Sequence, residues 1–128
     1  MKLLRWLSVA LVLTLAWTAV AAAAAMLRTA PFPGDLAPDG VVACYVANTG
    51  PTAGKVSATL YDLSGTALGT GISDANLPAN ATISTGSFSV GTTSPTRCVC
   101  AVPSTTTFRC SFVFFNKDIP LVSVIGAP

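Results

Sequence analysis

The chain has 128 residues, of which only 9% are charged, and it contains neither histidine nor glutamate. Without an imidazole there is no Ser-His-Asp triad, no blue-copper site and no catalytic zinc site of the usual kinds. The formal charge of +2 comes wholly from Lys2 and Arg5; from Met26 onward Arg28, Lys55, Arg97, Arg109 and Lys117 balance Asp35, Asp39, Asp62, Asp74 and Asp118, which speaks against nucleic-acid binding.

Residues 1–25 read as a secretory signal peptide. Lys2 and Arg5 form a positive start, Leu7–Val20 is an apolar core interrupted only by Ser8, Thr14 and Thr18, and Ala19–Ala25 supplies small-x-small cleavage sites. Cutting after Ala21, Ala23 or Ala25 is chemically acceptable, and it removes both tryptophans, Trp6 and Trp17. The rival reading is a retained anchor, because the apolar run lies near the lower limit of about 17–25 residues for crossing a bilayer. The alanine-rich end favours cleavage. No cysteine follows the apolar core before Cys44, and no arginine pair precedes it, which disfavours a lipoprotein and a twin-arginine export route. The expected product is secreted or periplasmic, with no membrane segment left after cleavage.

Residues 26–40 hold Pro31, Pro33 and Pro38 with Gly34 and Gly40. Proline fixes φ and removes amide donors, so this is an extended arm or an edge segment. Residues 41–128 then form one domain of short strands separated by turn signals. Val41–Asn48 puts Val42, Cys44 and Val46 on one face and Val41, Ala43, Tyr45 and Ala47 on the other. Asn48-Thr49-Gly50-Pro51 ends it. Lys55–Asp62 alternates most clearly, with Val56, Ala58 and Leu60 inward. Asp62-Leu63-Ser64-Gly65 turns the chain into a weaker strand over 66–72, where Gly69 and Gly71 lower strand propensity. Residues 74–80 read as a loop. Ala81–Val90 is a Ser/Thr-rich strand anchored by Ile83, Phe88 and Val90, with Gly86 marking a bulge. After a loop at 91–96, Arg97–Val102 and Phe108–Asn116 read as a hairpin around Pro103–Thr107, and a last strand follows at 119–125. Phe112 and Phe114 alternate with Val113 and Phe115, a pattern that fits a central strand covered on both sides.

Six or seven strands at near-regular spacing, and no segment of sustained helical periodicity, predict an all-β domain. The expected arrangement is an immunoglobulin-like β-sandwich, with a small closed β-barrel as the alternative. A domain of about a hundred residues buries only somewhat over 60% of its unfolded surface. Two disulfides at about 2–4 kcal/mol each would then be a sizeable share of a net stability of about 5–15 kcal/mol.

Cys44, Cys98, Cys100 and Cys110 are the residues to supply them. Cys98 and Cys100, two apart on a strand, share a face and cannot easily bond each other. A hairpin centred on Thr105 would set Cys100 opposite Cys110 and leave Cys44 for Cys98. The runner-up is Cys44–Cys100 with Cys98–Cys110. A thiolate metal site is disfavoured because Cys-x-Cys is not the zinc-ribbon or redox spacing and no histidine can complete a mixed site.

Other motifs carry little chemistry. The aspartates all lie beside turn signals, where Asp caps its own backbone. The spacing of Asp35 and Asp39 matches no calcium loop. Gly50–Val56 imitates a phosphate loop, but it is one residue short and precedes a strand. Asn80-Ala81-Thr82 fits the N-glycosylation pattern, which matters only in a eukaryotic host. The expectation is therefore an exported, non-enzymatic module with a binding or structural role and without cofactor or metal. Its partner is an unknown protein or surface ligand, with Phe32, Tyr45 and Tyr61 as candidate contacts. The alternatives are a homo-oligomer in which the arm or last strand completes a neighbouring sheet and, more remotely, an Asp- or thiol-based enzyme.

Overall fold

A computed structural model describes residues 24–31, 40–89, 95–116 and 119–126. Most of the export segment and residues 32–39 of the arm lie outside these. Among the described residues the chain forms nine strands and no helix. They are β1 (Ala25–Arg28), β2 (Gly40–Asn48), β3 (Gly54–Asp62), β4 (Ala67–Leu77), β5 (Thr82–Ser84), β6 (Phe88–Ser89), β7 (Pro95–Val102), β8 (Phe108–Asn116) and β9 (Ile119–Gly126).

The strands form two antiparallel sheets. One has the order β1-β7-β3-β4; the other has the order β5-β2-β8-β9, with β6 also paired to β2. Both sheets are open, so the closed-barrel alternative is not the architecture. They share one core. Leu27, Val56, Leu60, Leu77 and Val102 come to it from the first sheet, and Val42, Val46, Phe108, Phe112 and Phe114 from the second. The period-2 alternation read in β2 and β3 is the cause: alternate side chains reach one face of a strand, and Val42, Val46, Val56 and Leu60 are all buried.

β8 is central in its sheet, between β2 and β9. Phe112 and Phe114 are buried on its inner side, and Val113 on the opposite side is only 7% exposed. The rest of that outer side is more open, with Ser111 and Phe115 half-buried and Arg109 exposed, so the doubly apolar pattern corresponds to one fully buried face and one partly covered face.

Three local expectations are corrected. The first concerns β7 and β8, which are not a hairpin: β7 pairs β1 and β3, while β8 pairs β2 and β9. The segment Pro103–Thr107 crosses from one sheet to the other. Its carbonyls are held from outside the ladder, since Arg109 Nη1 donates to Thr105 and Thr106 O, and Thr49 N and Oγ1 both donate to Thr107 O. Short spacing between two apolar runs does not distinguish a hairpin from an arch of this kind.

The second correction lengthens β4, which runs on through Asp74 to Leu77 where a loop was expected. Its register against β3 slips twice, between Val56 and Ala58 and again between Ala58 and Leu60. Extra residues on β4 are absorbed in unusual backbone: Gly69 has φ +63° and Asp74 φ +49°. A Cβ on Gly71 would lie 2.5 Å from the Ala58 carbonyl oxygen. The glycines that weaken strand propensity are what this irregular strand requires.

The third correction splits the expected strand at 81–90 into β5 and β6, both paired to β2. The break is made by Thr85, whose N–H donates to Cys44 O while its Oγ1 accepts from Cys44 N. A side chain here replaces one backbone partner, and the ladder cannot run through. Val90 lies outside the described residues.

The arm is an edge segment at its start. β1 pairs β7 from Ala25↔Val102 to Arg28↔Val99, with Leu27 buried. Thr29 then extends the contact: its N–H donates to Cys98 O, and its Oγ1 accepts from Cys98 N.

Candidate binding cleft

The four cysteines form Cys44–Cys98 and Cys100–Cys110, the first of the two pairings considered. The reason differs from the expected one. Cys98 and Cys100 leave the same face of β7 and reach different strands of the opposite sheet, β2 and β8. Both bridges therefore span the core, with Cα separations of 5.7 and 6.1 Å, within the range of about 4.4–6.8 Å that a disulfide accepts. All four cysteines are fully buried, so neither bridge offers a thiol to solvent.

One cleft opens between the sheets, where the edge of β4 faces the broken edge of β5 and β6. Its volume is about 280 Å³, at the small end of the roughly 300–1,000 Å³ usual for ligand sites. Buried Leu60 meets it from the core, Leu68 and Phe88 give half-buried apolar walls, and Thr70, Thr85 and Ser87 add hydroxyls. Gly69 and Gly86 keep it open. At Gly86 an added Cβ would meet nothing within 4 Å, and at Gly69 it would come 3.3 Å from the Phe88 ring. No lining residue carries a charge. Hydroxyls beside apolar walls suit a small neutral group with both apolar surface and hydrogen-bonding atoms. Sequence reasoning named Phe88 only as a core anchor; the cleft has no sequence signal because two different sheets build it.

The candidate contact residues do not come together. Tyr45 lies on the outer side of the β2–β8 pair, tilted at 57° to Phe115 with ring centroids 6.4 Å apart. Tyr61 lies on the outer side of the other sheet, opposite Arg97 on β7 and Ala67 on β4. Both tyrosines are half-buried, and the whole thickness of the protein separates them. Phe32 lies outside the described residues.

Among the described residues no three of His, Cys, Asp and Glu gather into a metal-binding group. The Asp35/Asp39 loop lies outside them. Asp62 is tied into the β3–β4 turn, where Oδ1 accepts from Ser64 Oγ and Thr66 N, both at 2.7 Å. These bonds, that from the Ser64 hydroxyl first, hold the carboxyl below its usual range. Asp74 sits at a bulge facing Ser57, whose Oγ accepts from Asp74 N, and its carboxylate pairs with Lys55 at 2.8 Å. Five residues of β3 separate these positions, about 16 Å at the usual rise per residue. That is too far for the roughly 5–9.5 Å spacing of a glycosidase carboxylate pair.

A residue that the sequence reading treated only as a turn marker is central to one end of the fold. Asn48 is buried, its Nδ2 donates to the Thr52, Leu77 and Pro78 carbonyls, and its Oδ1 accepts from Gly50 N. It satisfies both its amide group and the ends of two loops. Among the described residues no helix is long and apolar enough to cross a membrane. No protein-family model, no curated protein and no solved structure matches the chain.

Proposed function

We propose that this chain is an exported, non-enzymatic module of immunoglobulin-like sandwich type, working outside the cytoplasm as a binding or structural unit. The observation that carries this reading is the pair of buried disulfides joining the two sheets. Such bonds persist in oxidising compartments and are rare where thiols are kept reduced. The positive, apolar and alanine-rich start of the chain agrees with that address. The uncharged cleft between β4 and β5–β6 is the best-formed place for a ligand, and a small neutral group is the chemistry it suits.

A binding module is favoured over assembly by strand exchange because each sheet edge is interrupted. β1 is four residues long, β4 is bulged, β5 and β6 are separated at Thr85, and β9 carries Pro120 and a register shift near Phe115. Short, bulged or proline-bearing edges are poor templates for a further strand.

Thiol titration of the unreduced product tests the compartment: no reactive thiol is expected, and one or more per chain would revive a cysteine mechanism. Sedimentation over a concentration series tests assembly, with a monomer expected throughout. For the cleft, Gly86→Trp should abolish the stabilisation that any neutral ligand confers on the wild type in a thermal-shift screen. Unchanged stabilisation would move the ligand site elsewhere.

A further inference from the structure

The outer face of the β1-β7-β3-β4 sheet carries positive charge that nothing among the described residues balances. Leu27, Cys98 and Leu60 are buried in the core, so strand alternation puts their neighbours Arg28, Arg97 and Tyr61 on the opposite side. Arg28 stands opposite Val99, and Arg97 stands opposite Tyr61. The two arginines therefore lie diagonally across β1 and β7, at positions about 7–8 Å apart. The described acids are Asp62 and Asp74. Asp74 is paired with Lys55, and Asp62 is held in its own turn by Ser64 and Thr66. Among the described residues neither forms an ion pair with Arg28 or Arg97.

Arg97 is the more constrained of the two cations. It is half-buried, and its Nε lies beneath the surface with no hydrogen-bond acceptor. A cation drawn partly out of water without a counter-charge is unfavourable. An external anion offsets that, and a charge-assisted bond is stronger where water is partly excluded. Arg28 is exposed at the sheet edge, where a second anionic group can reach it.

We propose that this face binds an acidic polysaccharide, a chain of uronic acid residues, with Arg28 and Arg97 taking carboxylates and the Tyr61 ring lying beside a sugar. The guanidinium fork matches a carboxylate, and Thr59, paired with Val99 in the row from Arg28, adds a hydroxyl on a shallow surface. Two cations fall short of the basic cluster of about four to eight that anionic headgroups select. An extended acidic peptide docks along a sheet edge, and the edges here are short or bulged. The site is separate from the uncharged cleft between the sheets. Its setting rests on the export reading; its binding chemistry does not.

The test is titration of polygalacturonate into the purified exported product, followed by the backbone amide signals in two-dimensional NMR, with dextran as the neutral comparison. Shifts are expected around Arg28, Arg97, Val99 and Tyr61 with polygalacturonate alone, and added salt should weaken them. Arg28→Gln and Arg97→Gln should each reduce affinity about tenfold or more, as loss of a charge-assisted hydrogen bond does. Arg28 is exposed, so its variant reports even where Arg97→Gln disturbs folding. Lys55→Gln removes the same unit of charge about 20 Å from Tyr61 along β3, at the usual rise per residue, and should stay within about twofold of wild type. Absence of binding, shifts confined to the cleft, or an equal loss in Lys55→Gln overturns the inference. Equal binding of polyglutamate or of phosphatidylglycerol vesicles overturns the choice of a polysaccharide. Each of these outcomes leaves the export reading standing, since thiol titration tests that separately.

Discussion

The β2–β8 pair and the β3–β4 pair are built from similar strands and behave oppositely. β2 and β8 stay in register over nine consecutive partners, from Gly40↔Asn116 to Asn48↔Phe108. Their inner faces hold Val42, Val46, Phe112 and Phe114, and one end of each disulfide. β3 and β4 slip twice in register, and β4 uses two residues at positive φ. The difference is where the partner's other side lies. β8 is held between two strands, and a slip there would turn its core side chains to the wrong face. β4 is an edge, free to bulge on its open side. The cleft lies along the edge that bulges, so the tight pair supplies stability and the loose one supplies shape.

If that contrast is right, the largest loss should come from the centre of the tight pair. Phe112→Ala is expected to cost about 3–5 kcal/mol by denaturant unfolding, against about 1 kcal/mol for Leu68→Ala on the half-buried cleft wall. Equal losses would erase the distinction. The disulfides sharpen it next. Cys44–Cys98 closes a separation of 54 residues and Cys100–Cys110 one of 10. Chain entropy therefore assigns about 4 kcal/mol to the first and about 3 kcal/mol to the second. Paired Cys→Ala variants compared by unfolding midpoint should rank in that order.

Gly71 in the loose edge and Gly86 in the break between β5 and β6 should behave differently. Gly71→Ala drives a Cβ to 2.5 Å from the Ala58 carbonyl oxygen and should cost about 1–3 kcal/mol, as overpacking does. Gly86→Ala meets nothing within 4 Å and should stay within about 0.5 kcal/mol of wild type. A neutral Gly71→Ala would mean that the β4 bulge relaxes freely.

The smallest expected effect is at the β3–β4 turn. The Asp62 carboxyl is lowered by the Ser64 hydroxyl and the Thr66 N–H, so the stability it contributes is present above the unfolded-state pKa. That contribution is lost as the pH falls through the lower folded value. An NMR titration should place Asp62 below a free aspartate, and Ser64→Ala should move it back up. No movement would assign the shift to the backbone donors alone.

Much of the fold was legible because alternation is local. Val42, Cys44 and Val46 sharing a face, and Val56, Ala58 and Leu60 sharing another, follow from a period of two, and the core has these residues. The ends of β4 and the break at Thr85 were not legible. Gly69 and Gly71 read as strand-weakening residues and Asp74 as the start of a loop until β3 lies beside them, and Thr85 is an ordinary strand residue until its Oγ1 meets Cys44 N. The cleft was illegible for the same reason: Leu68 and Phe88 belong to different sheets.

The sequence by itself determined the all-β class, most strand positions, the even set of cysteines and the near-neutral charge beyond Arg5. Each depends on residue type and short spacing alone. Only the tertiary structure decided that β7 and β8 part into separate sheets, that Cys100–Cys110 spans the core, that Tyr45 and Tyr61 face opposite ways, and that the arm begins as an edge strand. Pairing partners are chosen by burial across the whole chain, and no run of neighbouring residues encodes which distant strand will cover it.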